Sequence, residues 1–135
     1  MDLMKSIKIA AAGMRVQGAR LKVISENIAN ADSLSPVEGG DPYRRKVVTF
    51  ENALDRSLGT ELVRVRNVDT DQSEFRKNYD PGHPAADKSG YVRMPNVNPL
   101  VEMMDMREAQ RSYEANLRII DVSKTLVART IDLLR

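Results

Sequence analysis

Asn98-Pro99-Leu100-Val101-Glu102-Met103-Met104-Asp105-Met106 opens a stretch that runs to Arg135 with no further glycine or proline. Asn98 offers a helix N-cap, and Pro99 suits the first helical position, where a missing N–H costs nothing. Behind them Met103, Met106, Gln110, Tyr113, Leu117, Ile120, Lys124, Val127, Ile131 and Leu134 succeed one another at spacings of three and four. That is a helical seam with two polar exceptions. A single helix over this length would run on the order of 55 Å. A seam so long cannot bury itself, so it predicts a partner helix.

The other end of the chain supplies a candidate. Leu3, Ile7, Ala10, Met14, Gln17, Leu21, Ile24 and Ile28 form a second seam, predicting a helix from Leu3 to Asn30 with Asp2 as its cap. Ala11, Gly18 and Ser25 make a neighbouring column of small residues where another helix can come close. Gly13 and Gly18 each weaken this helix by up to about 1 kcal/mol relative to alanine, which favours an arm ordered chiefly by assembly.

All six prolines lie from Pro36 to Pro99, five of them between the arms, with most of the glycines and aromatics. This predicts three segments: a helical arm over 1–31, a central loop and short-strand segment over 32–97, and a helical arm over 98–135 that forms one structural unit with the first. In the middle, Tyr43–Phe50 and Glu61–Val68 are rich in β-branched residues. Phe75–Tyr79 and Tyr91–Met94 flank the turn-rich Asp80-Pro81-Gly82-His83-Pro84, predicting a small hairpin or short-stranded patch with extended segments between, and Ser33–Asp41 reads as a loop. The fold class is therefore mainly α, with long terminal helices in a coiled-coil-like axial domain and a small irregular or β centre.

Chemistry is hard to find. The chain of 135 residues has no cysteine and a single histidine, His83. Asp80, His83 and Asp87 make a poor transition-metal set, and the bland reading is a proline-bounded turn with an Asx-type bond at Asp80. No nucleophile elbow or phosphate loop is present, so the expectation is no enzyme, no catalytic residue, no cofactor and no metal. Net charge is only +2, from 21 basic and 19 acidic residues that alternate in sign along the helices, which argues against nucleic-acid binding. No apolar run reaches the roughly 20 residues of a membrane span, and the N-terminus lacks a signal-peptide core. The methionines at 103, 104 and 106 fit a packing seam better than a promiscuous groove. The candidate subunit-interface residues are Leu3, Ile7, Met14, Leu21, Ile24, Ile28, Met103, Met106, Tyr113, Leu117, Ile120, Val127, Ile131 and Leu134, with the first helix packing against the second within or between subunits.

Tyr79-Asp80-Pro81-Gly82-His83-Pro84-Ala85-Ala86-Asp87, then Gly90-Tyr91-Val92 and Pro95-Asn96-Val97-Asn98, closely resemble the proximal-rod type of flagellar axial protein. So do Glu102-Met103-Met104-Asp105-Met106 and Ala109-Gln110-Arg111-Ser112-Tyr113-Glu114-Ala115-Asn116. Ser25-Glu26-Asn27-Ile28-Ala29-Asn30-Ala31 looks like the N-terminal signature shared by rod, hook and hook-associated proteins, and Pro42-Tyr43-Arg44-Arg45-Lys46 fits the family's next segment. Only Glu38-Gly39-Gly40-Asp41 departs from the pattern. The resemblance implies a structural subunit exported unfolded through the flagellar type III apparatus, without a cleaved signal peptide. It would assemble in the periplasm with itself, FliE and other rod proteins into a tube that transmits torque and passes later subunits. The competing expectations are a cytoplasmic coiled-coil adaptor, or a rod or needle subunit of another secretion system.

Overall fold

A computed structural model describes residues 3–133. Helix α1 spans Leu3–Ala29 and helix α2 spans Pro99–Leu133. The caps expected at α2 are formed: the Asn98 side chain accepts from the Leu100 N–H at 3.1 Å, and its carbonyl accepts from the Glu102 N–H at 3.0 Å. At the end of α1 the Glu26 carbonyl accepts from both the Asn30 backbone N–H at 3.1 Å and the Asn30 side-chain amide at 2.8 Å. Asp2, the expected cap of α1, lies outside the described residues.

The centre carries two antiparallel two-stranded sheets: β1 (Lys46–Asp55) with β2 (Thr60–Thr70), and β3 (Arg76–Tyr79) with β4 (Tyr91–Met94). Strand β1 begins three residues later and ends five residues further on than Tyr43–Phe50 suggested: the Tyr43 N–H goes to the Ser33 carbonyl and the Arg45 N–H to the Asn96 side chain, outside the β1–β2 ladder. Its turn is set locally: Asp55 Oδ1 accepts from the Ser57 N–H and hydroxyl, and Gly59, at φ +60°, donates back to the Asp55 carbonyl. A positive φ is costly for any residue with a Cβ.

The chain divides into two compact units. Unit 1 comprises Met1–Leu21, Val48–Asn67 and Arg107–Arg135; unit 2 comprises Lys22–Val47 and Val68–Met106. Within unit 1 the helices run antiparallel, since Gly13 faces Asn116 and Arg20 pairs with Glu108 at 3.7 Å. A Cβ on Gly13 would sit 2.8 Å from the Asn116 amide, whereas one on Gly18 would meet nothing within 4 Å. The buried residues here are small: Ala10, Ala12, Val16, Ala109 and Ser123.

Within unit 2, β3 and β4 pair with Arg76 opposite Met94 and Tyr79 opposite Tyr91, whose rings meet edge-on at 5.2 Å. The loop between them folds back so that Ala85 and Ala86 join Val92 in a small core covered by Leu34 and Met94. His83 accepts from the Ala85 N–H through Nδ1. The side chain that ties this loop is Asp87, which accepts from the Ser89 and Tyr91 amides at 2.9 and 3.0 Å, and not Asp80 as the sequence suggested. Asp80 contributes its backbone instead, its carbonyl accepting from the His83 N–H.

Two outcomes are expected. Asn98→Ala should cost about 1 kcal/mol by removing the α2 cap, read as a lowered urea midpoint. The Tyr91 and Ser89 amides hold Asp87, and the Ser57 hydroxyl and nearby amides hold Asp55, below the ordinary carboxylate value. A depressed folded value lends stability that is complete above the unfolded pKa and lost as pH falls through the folded one. Thermal midpoints should therefore change little on these groups' account from pH 8 to 5 and decline below about pH 4.

Candidate assembly interface

The polar centre of unit 2 is Asn27, which is 1 % exposed and uses its side chain fully. Its amide donates to the Lys46 carbonyl at 2.9 Å and to Glu102 Oε2 at 3.1 Å. Its Oδ1 accepts from the Lys46 N–H and the Tyr43 hydroxyl, both at 2.9 Å. Glu102, also 1 % exposed, accepts from Arg45 Nε at 2.6 Å, and Arg45 lies 3.5 Å from Asp71 and 4.0 Å from Asp105. Asn96 holds the Arg45 backbone N–H through Oδ1 and clasps the Asp71 and Ser73 carbonyls through its amide. Lys46 reaches Glu26 at 2.9 Å.

Burial disfavours the Arg45 charge, but its bond to Glu102 and the charges of Glu102, Asp71 and Asp105 outweigh that and hold its pKa up. Burial likewise pushes the Tyr43 phenol up. The hydrogen bond and charge of Lys46 hold the Glu26 carboxyl down. The sequence places Asn27 near the end of the first helix and in the Ser25–Ala31 signature, with no sign of its burial. The missed signal is its spacing: with Val16 and Val23 it lies on one buried stripe, at intervals of seven and four. Glu102 stands in the same relation to buried Ala109.

The second feature is apolar. Of the expected interface residues, Ile24 is buried. Leu3, Ile7, Met14, Leu21, Ile28, Met106, Tyr113, Ile120 and Val127 are half-buried. Met103, Leu117 and Ile131 are exposed, and Leu134 lies outside the described residues. Beside them Leu100, Val101, Met104, Ile119, Val122, Leu126 and Leu133 also face outward. The doublets Ile119-Ile120 and Leu126-Val127 carry this information in the sequence, because a narrow seam that half-buries one member turns the other away, whereas both members of Met103-Met104 are exposed. In unit 1, Leu3, Ser6, Ile119, Val122 and Leu126 line an open groove of about 300 Å³ with Arg118 at its edge. Ala11, Met14, Gly18, Tyr113 and Ile120 line another of about 490 Å³.

Among the described residues no leucine, methionine or aromatic is fully buried, and the core is alanine, valine and one isoleucine. Large apolar side chains therefore lie outside a core of small ones. Among the described residues there is no group of three metal-ligating side chains, and no helix is long and apolar enough to cross a membrane.

Asn27→Ala should destabilise the chain by about 2–4 kcal/mol, since it strips a donor from a buried carboxylate and orphans the Tyr43 hydroxyl. Glu102→Gln, which keeps the shape and loses the charge-assisted bond, should cost about 1–3 kcal/mol. Urea denaturation of both variants orders the two costs.

Residues 88–133 match the family model described as the flagellar basal body rod FlgEFG protein C-terminal. The flagellar basal-body rod protein FlgC of Agrobacterium fabrum is 56 % identical over 128 residues, covering 95 % of this chain and 92 % of the relative. The FlgC proteins of Borreliella burgdorferi and Salmonella typhimurium are each 38 % identical, over 100 % and 98 % of this chain and 99 % and 98 % of their own lengths. An identity of that size, sustained from one helix through the centre to the other, means that the chain belongs to the FlgC family of flagellar basal-body rod proteins.

Proposed function

We propose that this structural rod subunit, which is not an enzyme, polymerises through α1 and α2 into the proximal rod of the flagellum. The observation that carries the reading is the outward-facing apolar surface of α2 beside a core of small residues. Burying a Leu, Val or Ile side chain contributes about 1.5–3 kcal/mol, so covering several of them drives association strongly. In this reading the terminal arms over 1–31 and 98–135 act as one coiled-coil-like axial unit, with the centre over 32–97 joining them. The antiparallel α1–α2 pairing in unit 1 and the Asn27–Glu102 bond in unit 2 support it.

The rod lies in the periplasm, reached through the flagellar export apparatus without a cleaved signal peptide, and the subunit contacts itself, FliE and other rod proteins. The tube transmits torque and passes later subunits. A sparse core suits passage through a narrow channel, because little burial opposes unfolding. Relatives that are rod proteins across nearly their whole length weigh against a cytoplasmic adaptor.

Leu117→Asp changes an exposed residue and Ile120→Asp a groove wall, so either should abolish rod assembly and swimming while expression persists. Ile24→Leu, which conserves volume, should swim normally. Basal bodies counted in complemented strains decide this, and normal swimming with both aspartates would sink it. In the purified chain, hydrogen exchange should show α1 and α2 weakly protected when dilute and protected on association.

A further inference from the structure

Two exposed apolar surfaces lie one in each unit, and the units differ in charge. Unit 1 holds 13 basic and 8 acidic residues; unit 2 holds 8 basic and 11 acidic ones, together the chain's 21 and 19. The α1 portion of unit 1 from Leu3 to Leu21 carries Lys5, Lys8, Arg15 and Arg20 and no acid. Arg118 lines the groove of Leu3, Ile119, Val122 and Leu126. In unit 2 the first turns of α2 present Leu100, Met103 and Met104 as an exposed knob, with Asp105 beside it. The knob residues are 51–68 % exposed, and nothing in their own unit covers them.

We infer that the knob of Leu100, Met103 and Met104 on one copy seats in the Leu3–Ile119–Val122–Leu126 groove of a second copy. The contact is heterologous, apolar at its centre and steered by the charge difference between the two units. This rests on the reading of the chain as a polymerising subunit and deepens it by naming which surfaces meet. Opposite net charges favour knob against groove over either surface against itself, since like-charge pairings are penalised. Methionine suits the knob because its unbranched side chain adapts to an irregular groove. Two different surfaces in contact leave one of each unsatisfied in every pair, so the association propagates into a ring or an open helix instead of stopping at a dimer.

The test is sedimentation of the full chain with one variant on each surface, Met104→Glu and Val122→Glu. Both residues are more than half exposed, and circular dichroism checks that each variant folds as the wild type does. Wild type should associate with rising concentration, and raising salt from about 0.05 to 0.5 M should weaken that association several-fold. Each variant alone should lose association by at least about tenfold. An equimolar mixture should form a one-to-one dimer and nothing larger, because each variant retains the surface the other lacks. A wild type that stays monomeric, variants that associate unchanged, or a mixture that forms no dimer would each overturn the contact and assign these surfaces to another partner. If Leu117→Asp still abolishes swimming in that case, the rod reading stands and only this pairing falls.

Discussion

Everything in unit 2 turns on the need to satisfy one buried carboxylate. Glu102 sits on the first turn of α2 with 1 % exposure, and an uncompensated charge there would cost several kcal/mol. Arg45 supplies the counter-charge and Asn27 the second donor. Each of these is in turn positioned: Arg45 by Asn96 and Asp71, Asn27 by Tyr43 and both backbone groups of Lys46. The end of α1, the start of β1, the segment after β2 and the approach to α2 therefore meet at one place. Their relative positions are fixed by hydrogen-bond geometry, which tolerates errors of only a few tenths of an ångström. Apolar contact alone could not do this, because the core beside it is alanine and valine and would accept several arrangements.

Unit 1 obeys a different rule. Its helices approach closely at Gly13, where a side chain would press on Asn116, and their buried faces are small residues. Close approach of two thin faces leaves the larger side chains of α2 on the outside. The single chain forgoes much of the burial its composition permits, and that burial is recovered only when another surface covers it. Association stabilises the folded chain by mass action, as any partner specific for the native state does.

Much of this was legible in the residues. Asn98-Pro99 and the unbroken run behind it located α2 to within a residue at its start. β-Branched content and turn residues located the central strand segments, with β1 displaced because Tyr43 and Arg45 are used as side-chain ligands of the polar cluster. The apolar seam was read as a single line, while the helix carries a second line visible in its doublets. The Asn27–Glu102 pairing was not readable, because periodicity ranks positions by hydrophobicity and hides a polar residue whose burial depends on partners elsewhere in the chain. The Asp87 loop tie was missed for a related reason: Asp80 and Asp87 are chemically alike, and only the chain path decides which one meets the amides.

The same cluster sets an order in time. Asn27 and Glu102 are 75 residues apart, with Tyr43, Arg45, Asp71 and Asn96 strung between them. A chain synthesised from its N-terminus presents α1 long before its polar partners arrive. Until Glu102 emerges, Asn27 has no carboxylate to hold and Arg45 no buried counter-charge. A late-closing contact of this span delays native structure until about three-quarters of the chain is out, which keeps the leading helix from locking prematurely.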